Sequence, residues 1–252
     1  MTPAEYFTNP YLAAFRRVPP RGAGICLVCL RGARPTDAMC YSCKVTTRQV
    51  AFPAAQILPI SFYEVPDQLW NVLRNYKDGR HPQVRLQLGT VLAATIGRFV
   101  NNHWSCISGL VGGEPTLVTT VPSTSGRPGL HPLVEAVRRV GILRPLYRDP
   151  LMLGGVPIQR LRATDQGFVS RDDLAGEDVL LVEDTFTSGA RTQSAASALR
   201  RAGARAVGVV AVGRVIEPAH CDDCTRVWRY ATAEQFQFDA CSRCSQDVCS
   251  LA

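Results

Sequence analysis

No apolar run in this sequence approaches the ~18 residues needed to cross a bilayer, and residues 1–17 lack the compact apolar stretch of a secretory leader. A membrane-spanning or exported chain is therefore not expected, and a cytoplasmic one is. Low-complexity tracts are missing too, as is any internal repeat beyond paired cysteine modules. Against these absences stand 252 residues, 46% of them hydrophobic, enough to bury a full α/β core with small appendages. The 28 Lys+Arg exceed the 21 Asp+Glu, for a net charge of +7, which suits phosphorylated ligands or nucleic acid but is equally an ordinary basic surface. Eight of the ten cysteines form four Cys-x-x-Cys pairs: Cys26/Cys29, Cys40/Cys43, Cys221/Cys224 and Cys241/Cys244. In a reducing compartment that spacing points to metal rather than disulfide.

Residues 1–23 read as a lead-in closed by Pro19-Pro20, and residues 24–59 as a first cysteine module. Leu69, Val72 and Leu73 fall on one helical stripe, and Val84, Leu88, Leu92, Ile96 and Phe99 on a longer one. Residues 117–122 look like a short buried strand stopped by proline, followed by a helix through Leu130, Leu133, Val134 and Val137. A second unit is clearer, with an apolar strand at 178–182, a small-residue helix at 190–202 ending at Gly203, and a strand at 206–212. Alternating strands and helices predict a mainly parallel sheet over residues 60–216, with ligands at the carboxyl ends of its strands. The connection 146–174, rich in Gly, Pro, Arg and Asp, is either a flap over that end or a long surface link. Residues 217–252 read as a second cysteine module.

The most informative segment is 179–192, Val-Leu-Leu-Val-Glu-Asp-Thr-Phe-Thr-Ser-Gly-Ala-Arg-Thr. A buried strand delivers Glu183 and Asp184 to the sheet edge, where two carboxylates can accept hydrogen bonds from the 2′- and 3′-hydroxyls of a ribose. Thr185, Thr187, Ser188, Gly189, Ala190, Arg191 and Thr192 then supply hydroxyls and backbone N–H groups at a helix N-terminus, a seat for a phosphate dianion. Gly189 permits positive φ and close backbone approach. A plain reading stands beside this one, because Thr and Ser also serve as ordinary helix caps after a strand. The segment has neither the Gly-Lys-Ser/Thr ending of a Walker A loop nor Gly-x-Gly-x-x-Gly. It resembles the phosphoribosyl pyrophosphate (PRPP) motif of type I phosphoribosyltransferases. Thr185 and Phe186 stand at two commonly aliphatic positions, and Arg191 where a hydroxyl residue is usual.

With an N-terminal four-cysteine module ahead of this loop, the chain resembles the ComF family over about residues 24–215. Tyr76-Lys77-Asp78-Gly79-Arg80 is similar to that family's Lys/Tyr/Gly segment, Val121-Pro122-Ser123 to its pyrophosphate loop, and Arg127-Pro128-Gly129 to the Arg-Gly element that follows. The Asn-Gln usual after that element is absent, and Arg160, Arg162 and Phe168 are only loosely similar to the family's flap. The resemblance implies a type I phosphoribosyltransferase-like α/β fold and Mg²⁺-bound PRPP, with transfer of phosphoribose to or from a nitrogenous base and release of pyrophosphate. It makes Glu183, Asp184, Lys77 and Arg127 the catalytic candidates, with Lys77, Arg80 and Arg127 neutralising pyrophosphate, although each is also ordinary as a solvated surface cation. Mg²⁺ would be held mainly by substrate oxygens and the acid pair. His131, ahead of Pro132, reads as a helix start rather than a general base. The competing functions are a non-catalytic PRPP sensor and a single-stranded nucleic-acid-binding accessory protein.

Cys26, Cys29, Cys40 and Cys43 can supply four thiolates to one tetrahedral Zn²⁺. Cys221, Cys224, Cys241 and Cys244 repeat the pattern, with strands expected at 227–230 and 235–238, so two structural zinc ions and small four-cysteine zinc ribbons at both ends are expected. Redox Cys-x-x-Cys is the alternative for each module. His220 or Cys249 can replace a ligand in the second set, and pairs can recombine across the termini; lone Cys106 reads as a semi-buried thiol. The second module lies outside the ComF resemblance. It suits a cap on the sheet, a homodimer contact, or nucleic-acid binding through Arg226, Arg229 and Arg243.

Overall fold

The computed structural model describes residues 1–123 and 129–244. Six strands occur among them: β1 (Ile57–Tyr63), β2 (Leu117–Thr120), β3 (Leu151–Leu153), β4 (Phe168–Ser170), β5 (Asp178–Phe186) and β6 (Ala206–Val215). Eight α-helices accompany them: α1 (Pro3–Thr8), α2 (Tyr41–Thr47), α3 (Gln68–Asp78), α4 (Pro82–Asn102), α5 (Trp104–Val111), α6 (Pro132–Arg138), α7 (Ala190–Arg201) and α8 (Asp222–Ala233). Four strands form one all-parallel sheet in the order β1-β6-β5-β2, and β3 pairs antiparallel with β4. The β5–α7–β6 unit and the helices α3, α4 and α6 fall on the segments whose periodicity predicts them.

Parallel strands covered on both faces must be apolar on both, and the run Val179-Leu-Leu-Val182 is fully buried. Alternation then sorts its side chains between two layers. Leu180 and Val182, with Leu58, Ile60, Val118, Val210 and Val212, face α3, α4 and α6 through Leu73, Leu92, Ile96, Phe99 and Val137. Val179 and Leu181, with Ile57, Leu117, Val209 and Ala211, face α7 through Ala195, Ala196 and Leu199. Cys26, Cys29, Cys40 and Cys43 belong to this second layer, so the N-terminal module is built into the core rather than appended to it.

Both outer strands meet irregular chain. Phe62 of β1 donates its N–H to the Arg16 carbonyl (3.3 Å), and Val118 of β2 accepts from the N–H of Arg148 (2.9 Å).

The region after β6 differs from expectation. Residues 227–230 are helical, inside α8, because Cys224, Val227 and Ala231 make a buried stripe at helical spacing and Asp222 and Asp223 favour the first turn. That stripe packs on Ile25, Leu30, Phe62 and Ile216 beside the N-terminal module. Residues 235–238 form no strand; Phe236 and Phe238 insert into the opposite layer, around Phe15.

Candidate functional site

β5 carries Glu183 and Asp184 among its last residues before ending at Phe186, and α7 begins at Ala190, so the turn between them opens at the carboxyl edge of the sheet. Gly189 takes φ +84°, and a Cβ there would lie 2.6 Å from Cζ of Phe186, whose ring sits beneath the turn. Ser188 Oγ accepts from the N–H of Ala190 (3.4 Å) and of Leu161 (3.3 Å), joining the turn to the 146–174 connection. A cavity of ≈ 610 Å³ lies over this turn. Glu183, Asp184, Thr185, Thr187, Ser188, Gly189, Ala190, Arg191 and Thr192 all line it, facing Lys77, Arg74 and Trp70 of α3 and Ile158, Gln159 and Arg160 of the connection. The connection therefore walls one side of the cavity.

The two acids have different environments. Glu183 is 4% exposed and accepts from the Thr192 hydroxyl. Burial pushes its carboxyl up to about 7, opposed by the Arg191 charge and the Thr192 hydrogen bond. Asp184 is equally enclosed, but Lys77 Nζ stands 2.7 Å from Oδ2 and the Tyr76 hydroxyl donates to the same oxygen. Burial opposes ionisation there too, yet the Lys77 charge and these hydrogen bonds outweigh it and hold the carboxyl below its ordinary value. The arrangement sets a carboxyl raised to about 7 beside one whose ionised form is favoured.

Arg191 turns toward the end of β2 and donates to the Pro122 carbonyl (2.9 Å), linking the 121–123 segment to the turn. Val121, Pro122 and Ser123 stand outside the cavity lining, and so does Arg80, exposed beyond the C-cap of α3. Arg127 lies outside the described residues. His131 N-caps α6, its Nδ1 accepting from the Leu133 N–H (3.2 Å). Trp70 and Arg74 escape the sequence reading of the site, which names Tyr76 only as part of the 76–80 segment and gives it no role. The spacing 70, 74, 77 was nonetheless the available signal, because it sets Trp70, Arg74 and Lys77 on one helical face.

Behind the turn lies the first cysteine cluster. The ligand atoms of Cys26, Cys29, Cys40 and Cys43 all lie within 4.8 Å of one another, an arrangement that can hold a metal ion. Burial opposes ionisation of Cys29, yet hydrogen bonds from Cys26, Cys40 and Cys43 and the charge of Arg214 hold its thiol well below the ordinary value. Arg214, 1% exposed, donates Nη1 to the carbonyls of Thr187 (2.8 Å), Phe186 (3.2 Å) and Val215 (2.8 Å). Its Nε and Nη2 find no oxygen or nitrogen partner. Burial works against its charge, and the neighbouring Cys29, Cys40 and Cys43 sulfurs more than restore it. A tetrathiolate centre carries negative charge, and a buried guanidinium with unspent donors fits beside it.

The structure does not bring Cys221, Cys224, Cys241 and Cys244 together. Cys221 and Cys224 pair with each other as a disulfide at the start of α8, and Cys221 Sγ accepts from the Cys224 N–H (3.3 Å). The 12 residues of α8 then carry the chain away by roughly 18 Å at ~1.5 Å per residue. Cys241 and Cys244 meet His103 and Cys106 instead, with all four ligand atoms within 4.8 Å, a second group that can hold a metal ion. Cys106 is thus neither isolated nor a plain thiol: it lies in this cluster, is fully buried and is disulfide-bonded. His220 is exposed beside Glu217, and Cys249 lies outside the described residues. Two of the three arginines considered for nucleic acid are engaged within the chain, Arg226 with Gly24 and Asp223, and Arg243 with Gln56.

No helix among the described residues is long and apolar enough to cross a membrane. Neither the known protein-family models nor the curated proteins include a match to this chain.

Proposed function

We propose that the cavity at the end of β5 binds Mg²⁺-PRPP and that the chain is a phosphoribosyltransferase-like protein of ComF type, moving phosphoribose to or from a nitrogenous base with pyrophosphate as co-product. One observation carries this reading: Glu183, Asp184, the left-handed Gly189 and the start of α7 line a single cavity with Lys77. The carboxylates would take the ribose diol, and the 187–192 turn would take the 5′-phosphate through backbone N–H groups and the Thr187 and Ser188 hydroxyls. Lys77 and Arg74 supply positive charge on the α3 wall, where charge developing on departing pyrophosphate would be neutralised. Trp70, Tyr63 and Val65 offer an apolar and aromatic flank against which a planar base can stack.

The protein donors here are too few for a dedicated Mg²⁺ cage, since Asp184 is already tied to Lys77 and Tyr76. The ion would arrive on the pyrophosphate oxygens and keep several waters, with Glu183 as the protein carboxylate. The Cys26/Cys29/Cys40/Cys43 centre is read as structural zinc.

Calorimetry with Mg²⁺-PRPP, paired with pyrophosphate release across a panel of purine and pyrimidine bases, tests the proposal. Replacing Glu183→Gln together with Asp184→Asn removes charge from at least two hydrogen bonds, and affinity should fall about 100-fold or more. Unchanged affinity would eliminate the diol role. Binding without release for any base would make the chain a PRPP sensor.

A further inference from the structure

We infer that Cys221 and Cys224 form a redox-active disulfide that exchanges with small thiols, Cys221 being the attacked sulfur and Cys224 the leaving one. The bond joins positions only three apart, a span over which a crosslink restrains the unfolded chain little. Its surroundings suit exchange better than bracing. Cys221 is exposed at the N-cap of α8, whereas Cys224 is 1% exposed. An incoming thiolate can therefore reach one sulfur and not the other. Both cysteines line a cavity of ≈ 360 Å³, together with the cationic side chains of Arg31, Arg34 and Lys44.

The neighbours of the two sulfurs prepare them for those roles. Arg31 reaches across from the first cysteine module and donates Nη2 to Cys224 Sγ (3.3 Å). Gly32 permits the approach, because a Cβ there would lie 2.3 Å from the Asp223 carbonyl oxygen. The guanidinium is short of partners. Its Nε is buried without an acceptor, and the two carboxylates of the cavity are taken, Asp37 by Lys44 (3.8 Å) and Asp223 by Arg226 (3.5 Å). A neutral disulfide sulfur leaves the Arg31 charge uncompensated, whereas a thiolate at Cys224 compensates it. Breaking the bond thus puts negative charge beside a cation that lacks it, and a stabilised thiolate leaves faster. Cys221 Sγ accepts the Cys224 N–H (3.3 Å) at the positive end of a 12-residue helix, which favours its thiolate as well.

The exchange balances in two steps. The thiolate of a low-molecular-weight thiol attacks Cys221 Sγ and forms a mixed disulfide, while the Cys221–Cys224 bond breaks and its electron pair goes to Cys224 beside Arg31. A second small thiolate then attacks the first one's sulfur, forming the free small-molecule disulfide and releasing Cys221 as thiolate. The pair gains two electrons, two small thiols are oxidised to one disulfide, and their protons pass to the protein thiols or to water. Because the reduced form is the one these neighbours stabilise, the pair oxidises thiols rather than reducing disulfides.

This inference is independent of the PRPP reading. The full chain, equilibrated in glutathione buffers of graded thiol-to-disulfide ratio, quenched in acid and mapped by alkylation and mass spectrometry, should show the Cys221–Cys224 bond opening within the glutathione range. That measurement needs no substitution. Arg31→Met removes a hydrogen bond to a charged group, and a buffer about 10-fold more reducing should then be needed to open the bond. Cys224→Ala should accumulate a glutathione adduct on Cys221, and Cys221→Ala none on Cys224. A bond that stays closed throughout the range, an adduct on Cys224 in place of Cys221, or a midpoint unmoved by Arg31→Met overturns the proposal.

Discussion

Glu183 accepts from Thr192 in a site that water barely reaches, and its carboxyl titrates near 7 rather than at the ordinary 4.5. A folded-state value raised in this way stabilises the fold below the unfolded value, and that contribution is lost as pH rises through about 7. The separation corresponds to roughly 3 kcal/mol. Between pH 5 and pH 8 the wild type should therefore lose stability relative to Glu183→Gln, which urea denaturation across that range would show. Parallel curves would remove the buried titration. On the proposed function, PRPP affinity should rise over the same interval, and Glu183→Gln should flatten the rise. Gly189 makes a different demand. An alanine there costs about 1–2 kcal/mol for the left-handed backbone alone, and its Cβ must also displace the Phe186 ring. Gly189→Ala should thus lower the denaturation midpoint by more than that backbone cost and disturb the turn, read as lost ligand affinity in calorimetry.

Among the elements, legibility followed contiguity. The β5–turn–α7 unit could be read because strand, acids, hydroxyls and glycine follow one another along the chain, and each local preference agrees with the next. The carboxyl-end cavity followed from that order, but its α3 wall did not. Whether Trp70 and Arg74 face a ligand depends on how α3 lies on the sheet, and that is set by Leu69, Val72 and Leu73 packing into the core. The C-terminal region departs from its sequence pattern for a related reason. Cys221-x-x-Cys224 and Cys241-x-x-Cys244 look alike in sequence, yet the first opens a helix whose stripe is buried on Leu30 and Phe62, and the second follows two phenylalanines drawn to the far layer. Those phenylalanines should be energetically prominent. Phe236→Ala or Phe238→Ala should each cost about 3–5 kcal/mol in chemical denaturation, whereas exposed Tyr230→Ala, on α8, should cost far less.

For the whole molecule, Arg214 is the element of cross-talk. It spans from the Cys26 cluster to the carbonyls of Phe186 and Thr187, while Thr46, from the helix that carries Cys43, reaches the Ser188 carbonyl (3.5 Å). The four-cysteine cluster and the floor of the cavity thus share one buried cation. Arg214→Met leaves the sulfurs and the carbonyls without it, and should destabilise the chain by about 3–5 kcal/mol. Chelating the native protein should speed amide hydrogen exchange at Thr187 and Ser188 before it exposes β5. Simultaneous exchange of both would mean that the cluster supports only the core.

The bonds from Arg16 to β1 and from Arg148 to β2 carry a further meaning for how copies of this chain can meet. An incoming strand would find β1 already hydrogen-bonded near its carboxyl end and β2 within its length, and at β1 it would have to displace a segment whose Arg16 N–H also donates to the Ser61 hydroxyl. Lengthening the four-stranded sheet across a dimer axis is therefore disfavoured at those two positions.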